Sequence, residues 1–303
     1  MTRAFAKPAL TIDQQIAKLR AAGMTVADDD RARHWLSHVS YYRLSGYWHI
    51  YKDHGAAPAT RFVAGTDFDT VTELYSFDRR LRRMVARATE HVEVALRGSW
   101  AYTLAQVGGS HGYLDAALYD DRKAFHANLA KLVSEVGNSP ETYIRHYREN
   151  YDQPAMPAVW MVAEMMTFGQ LSRWYSSLAD KGVRAQIARP FGLHETILVP
   201  MIKHLVTVRN VCAHQGRLWN RRFRESPRLP RKPEDVGATL DHGAATTPAT
   251  PYNSLVLLIH LLRQVAPSST WRDDLKELLA THPTGNFAAM GFPADWTTRP
   301  LWQ

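Results

Sequence analysis

Between residues 67 and 106 the chain sets Leu74, Phe77, Leu81, Met84, Val85, Ala88, Val92, Ala95 and Leu96 at intervals of three and four. Apolar groups at that spacing form one stripe of an α-helix, and so long a stripe leaves water only if other helices are laid against it. A helix of roughly 35 residues is long enough to organise a bundle. Strand signals, alternating β-branched and polar residues, are nearly absent, so the expected class is all-α.

The shorter signals agree. Residues 11–22 carry Ile12, Ile16 and Leu19 at helical spacing behind Thr11 as N-cap and stop at Gly23, and residues 28–39 read as a second helix. The aromatic segment 40–48 reads as a bend, and 54–65 as a loop. Further helices are expected over 123–136, 140–150, 157–178, 195–214, 253–265 and 271–279, with Gly216 where the fourth of these should end. Residues 225–251, rich in Pro, Arg, Thr and Gly without apolar period, read as an irregular connection. The resulting division is an N-terminal helical and aromatic segment over 1–66, a helical core over 67–224, an irregular connection over 225–252, and C-terminal helices over 253–303 completing the same fold.

A chain of 303 residues can bury its core without staples. Its 37 Lys and Arg against 29 Asp and Glu, a formal charge of +8, favour polyanionic partners, nucleic acid foremost. The single cysteine, Cys212, excludes an internal disulfide, and no Cys/His spacing matches a structural zinc site. His34 and His38 are four apart like a metal pair, but no Glu completes a zinc-protease pattern, so neither metal nor other cofactor is expected. With no charged-then-apolar leader and no apolar run long enough to span a bilayer, a cytoplasmic protein without membrane contact is the expectation.

Chemistry concentrates in Arg209-Asn210-Val211-Cys212-Ala213-His214. RNA is cut without metal when a base takes the ribose 2′-hydroxyl proton, the oxygen attacks the adjacent phosphate, and a cation holds the charge of the transition state. His214 suits the proton transfer, and Arg209, a permanent planar cation, suits the phosphate. Five positions on a helix differ by about 140° and rise about 7.5 Å, so the two share a face only if the helix frays or the arginine bends back. Asn210 and His214, four apart, can meet, the amide orienting the ring. One Arg and one His make a sparse site, and a symmetric homodimer would supply two of each. Cys212 beside His214 invites a Cys-His nucleophile, but two positions apart on a helix they point away from each other.

The run Arg217, Leu218, Trp219, Asn220, Arg221, Arg222, Phe223, Arg224 interleaves cations with aromatics, a composition for phosphate contact and base stacking, although Trp219 and Phe223 suit core packing equally. Arg217, Asn220 and Arg221 are its candidate substrate contacts, and Arg43 is the polar candidate in the aromatic segment, whose rings are read chiefly as packing. Glu93 and Arg97 can pair on the long helix, or, if buried, orient the catalytic Arg or His.

The Arg209-Asn210-x-x-x-His214 pattern resembles the HEPN ribonuclease signature. Other blocks, Gln14-Gln15-Ile16, Ser40-Tyr41-Tyr42-Arg43-Leu44-Ser45-Gly46-Tyr47, Phe77-Asp78-Arg79, Glu90 to Arg97, Phe168-Gly169-Gln170-Leu171-Ser172, and His282-Pro283 with Met290-Gly291-Phe292-Pro293, are similar to the Abi-like abortive-infection family, AbiD/AbiF type. That resemblance implies a dimeric HEPN-like helical bundle acting as a toxin-like, metal-independent endoribonuclease in phage defence, under control of a small RNA encoded nearby. It carries the catalytic role to Arg209, Asn210 and His214. The residues themselves leave open a non-catalytic RNA-binding module.

Overall fold

The computed structural model describes Ala4, residues 6–53, Gly55, and residues 61–224, 227–243 and 250–303. Among them are thirteen α-helices and isolated β-bridges but no strand, an all-α fold. In chain order the helices are α1 (Ile12–Ala21), α2 (Asp29–Val39), α3 (Tyr41–Trp48), α4 (Phe68–Gly108), α5 (Arg122–Asn138), α6 (Thr142–Asn150) and α7 (Val159–Met165). They continue as α8 (Phe168–Ser176), α9 (Lys181–Ala188), α10 (Glu195–Ala213), α11 (Glu234–Thr239), α12 (Pro251–Val265) and α13 (Trp271–Ala280). No helix among the described residues is long and apolar enough to cross a membrane. The chain forms two compact units, Met1–Leu81 with Lys276–Asn286, and Arg82–Leu275 with Phe287–Gln303.

In the first unit, α1 opens on a capping box: Thr11 Oγ1 accepts from the Gln14 N–H and Gln14 Oε1 from the Thr11 N–H. The segment read as a bend is helix α3. Ser40 adopts φ 71° and its hydroxyl accepts from the Arg43 N–H, so the turn out of α2 is made at one residue and the aromatic run can coil. Packing explains three of its four rings: Tyr47 and Trp48 are buried, Tyr41 lies edge-on to Trp48 at 4.9 Å, and Tyr47 Oη donates to buried Asp78 at 2.6 Å, whereas Tyr42 is exposed. His38 Nδ1 turns to the His34 carbonyl at 2.8 Å.

The second unit is built around α12, in which every residue from 251 to 262 is buried. A helix surrounded by protein needs no polar face, and α12 carries apolar residues on every side, while its buried Asn253, Ser254 and His260 are hydrogen-bonded within the protein. α10 packs against α8 and α9. The single helix expected over 157–178 is two, because Met166 leaves helical geometry at ψ 134° and Thr167 with Gln170 forms a second capping box that starts α8. The connection 225–252 is irregular only in part: it contains α11, whose Thr239 carbonyl accepts from Tyr252 Oη at 2.8 Å. Glu225, Ser226 and residues 244–249 lie outside the described residues, as do His54 and residues 56–60 of the expected loop.

Two residues of this unit make testable demands. Gly291 sits at φ +81°, and a methyl group there would come within 2.1 Å of Thr250 Oγ1. Gly291→Ala is therefore expected to lower the unfolding free energy by about 2 kcal/mol, read as a shift in the urea midpoint at constant slope. His260, fully buried, lies with Nε2 at 3.1 Å from the Phe191 carbonyl and Nδ1 at 3.4 Å from Arg263, a geometry suited to neutral imidazole. Burial, and secondarily the Arg263 cation, lower its pKa from 6.5 to about 4. Between those values the unfolded chain binds a proton that the folded chain refuses, so stability falls as pH drops through this window. From pH 7 to pH 5 the expected loss is about 2 kcal/mol, and a His260→Gln chain should show a flatter pH dependence in the same titration.

Candidate active site

Buried Val208, Val211 and Cys212 set the core face of α10, Arg209 and Asn210 stand half-buried at its margin, and Ala213 and His214 are exposed. The helix stays regular through Ala213, so Arg209 and His214 keep the divergence of about 140° that regular geometry imposes. Arg209 turns to α4. Its Nη2 donates to Glu93 Oε2 at 3.2 Å, and its Nη1 to the side-chain oxygen of its neighbour Asn210 at 3.1 Å. The Asn210 amide expected to orient the imidazole is thus turned to Arg209 instead.

Glu93 is shared. Its other oxygen accepts from Arg97 Nη2 at 2.7 Å, and Arg97 also donates to the Met166 carbonyl at 2.8 Å and pairs with Glu164 at 3.4 Å. The Glu93 and Arg97 side chains are only 15% exposed and Arg209 is 30% exposed, so water screens this network less than a surface pair. The pairing with Arg97 and a contact to Arg209, posed from sequence as alternatives for Glu93, occur together. Met166 and Glu164 were not foreseen. The break between α7 and α8 explains Met166: Gln170 N–H, which a continuous helix would direct to the Met166 carbonyl, goes to Thr167 Oγ1. The Thr167-x-x-Gln170 capping pattern inside an apolar stretch was the signal available.

His214 is the C-cap of α10, with its N–H on the Asn210 carbonyl at 2.9 Å. The left-handed residue that stops the helix is Gln215, at φ 58°, rather than Gly216. Gln215 N–H donates to the Cys212 carbonyl at 3.1 Å and Gly216 N–H to that of Val211 at 2.8 Å, the paired bonds of a Schellman ending. Gly216 is needed for closeness: a methyl group there would lie 3.3 Å from both Val211 Cγ1 and its carbonyl oxygen.

Beyond the ending, Trp219 and Phe223 are buried, Phe223 edge-on to His204 at 5.0 Å, so both aromatics belong to the core and do not offer faces for stacking. The arginines lie outward: Arg222 and Arg224 are exposed, Arg217 and Arg221 half-buried, with Arg221 donating to the Arg217 carbonyl at 3.5 Å and its guanidinium 6.0 Å from the Phe223 ring. Asn220 Oδ1 is buried without a hydrogen-bond partner among the described residues. Arg43 belongs to the first unit, half-buried on α3. No cluster of three or more His, Cys, Asp or Glu among the described residues is arranged to hold a metal ion.

Fold and site together describe an all-α protein with an arginine moored to a half-buried carboxylate and an exposed histidine at the end of the same helix. The chain matches the Abi-like protein family over residues 34–220, more than half its length and a span that includes both the Glu93 network and the motif. It belongs to that family. No curated protein and no solved structure matches it.

Proposed function

We propose that this Abi-like protein is a metal-independent endoribonuclease of the HEPN type, working in an abortive-infection system. His214 takes the 2′-hydroxyl proton; the freed oxygen bonds to the adjacent phosphorus as the bond to the 5′-oxygen breaks, and that oxygen leaves with a proton. Arg209 lies against the phosphate as charge accumulates on its oxygens. The observation that carries this reading is the mooring of Arg209 by Glu93, which is itself held by Arg97. A half-exposed guanidinium fixed in direction can meet a phosphate without first being ordered.

Because Arg209 and His214 diverge within one chain, a symmetric homodimer that brings two motifs together is part of the proposal, and a molar mass of two chains in solution is its first check. Control by a small RNA enters the proposal only through the resemblance. The Arg209–Glu93 pair also favours a second reading, an RNA-binding module without chemistry, since a carboxylate already answers part of the arginine's charge.

The full chain incubated with bulk RNA in excess EDTA separates the two. Cleavage that persists and leaves 2′,3′-cyclic phosphate ends is expected. Binding without cleavage under any condition, or fragments ending in 3′-hydroxyls, would overturn the catalytic reading.

A further inference from the structure

Trp160 has no part in the chemistry above, yet stands next to the groups that orient it. It and Glu164 are four apart on α7, a spacing that makes them neighbours on the helix surface, and both are exposed. Of the nine tryptophans in the chain, Trp160 alone stands open to solvent, at 54% exposure, while the others are buried or partly buried. Glu164 pairs with Arg97 at 3.4 Å, and Arg97 shares Glu93 with Arg209. A chain of contacts therefore runs from the neighbour of the exposed indole to the arginine assigned to the phosphate. Tyr143 on α6 belongs to the same surroundings: burial raises its phenol pKa, the charges of Glu141 and Glu164 raise it further, and Arg97 opposes them.

The rest of α7 decides what the indole can serve. Val159, Val162 and Ala163 are buried and Met161 and Met165 partly so, which leaves Trp160 and Glu164 as the residues it gives to solvent. One aromatic beside an ion pair lacks the apolar area of a lasting subunit contact. It does match what a single unstacked base requires, a flat apolar face with charged groups at its edge.

We propose that Trp160 is a stacking platform for a nucleobase of single-stranded RNA bound at the Arg209 site, with Glu164 and Arg97 beside the base. The inference rests on the ribonuclease reading and sharpens its substrate: in a duplex the base faces are hidden, so the platform selects unpaired RNA.

Binding measured without cleavage tests it. A full-length His214→Ala chain is titrated, by fluorescence anisotropy at fixed salt, against a labelled single-stranded RNA and against the same strand annealed to its complement. Adding Trp160→Ala is expected to weaken single-strand binding about tenfold while Trp160→Phe stays within about threefold of the parent, with duplex binding unchanged in both. Unaltered single-strand affinity in the Trp160→Ala chain overturns the platform alone, as does an equal loss for both RNAs. A change in solution mass on Trp160→Ala overturns it as well, by making the indole a subunit contact. A His214→Ala parent that binds neither RNA removes the ribonuclease reading and the platform with it.

Discussion

Replacing His214 by alanine is expected to lower RNA cleavage about a thousandfold while leaving the fold intact, a loss within the range that removal of a positioned proton-transfer group produces. The separation of the two effects follows from where the residue stands. Its side chain is exposed, and the bond it makes at the helix end comes from its backbone N–H to the Asn210 carbonyl, which any residue but proline retains. Surface positions of this kind shift stability by about 0.5 kcal/mol or less, so the urea midpoint of the variant should lie close to that of the parent chain. Initial rates on a uniform RNA, taken beside the denaturation curve, make the comparison. Cleavage at the parental rate in a well-folded His214→Ala chain would remove the histidine from the mechanism.

Glu93→Ala should show the opposite balance, with stability and activity falling together. The carboxylate answers two guanidiniums, one on each oxygen, in a setting where Arg97 is 15% exposed and Arg209 30% exposed. Removing it leaves two partly buried cations facing each other, and the cost of stranding a buried charge, reduced for the water that reaches Arg209, is about 3 kcal/mol. Glu93→Gln isolates the electrostatic part. The amide keeps the volume and one acceptor oxygen, so it is expected to recover part of the stability while cleavage stays low, because Arg209 is no longer drawn to a charge. Denaturation midpoints and cleavage rates of the three chains decide the matter. Unchanged stability in Glu93→Ala would mean that the network holds nothing in place.

Much of the helical architecture was legible because it is written in local terms. Thr11 with Gln14 caps α1 as their types and spacing require, and the buried positions Leu74, Phe77, Leu81, Val85, Ala88, Val92 and Leu96 of α4 follow from period alone. The misreadings have a common cause. In 157–178 the apolar period continues across Met166 although the helix does not, since a capping box needs only two residues and leaves the pattern around it undisturbed. At the end of α10 the glycine was the natural stop, yet Gln215 takes the left-handed turn because Gly216 is needed one place later, close against Val211. The aromatic run 40–48 carries two tyrosines, a glycine and a tryptophan that suggest a bend, and Ser40 absorbs the whole turn before it starts.

The candidate site divides along the same line. By itself the sequence determined that the chain is helical, where its long helix lies, and which residue types, Arg209 and His214, were set five apart on another, since each depends on neighbours a few positions away. Only the tertiary structure decided that Arg209 is held by Glu93, 116 positions earlier, that Arg97 is anchored by a carbonyl released where α7 breaks, and that Trp219 faces inward while Trp160 faces water. Periodicity says which residues leave solvent, whereas the partner of a charge is chosen by how helices distant in sequence pack, and no local pattern encodes that choice.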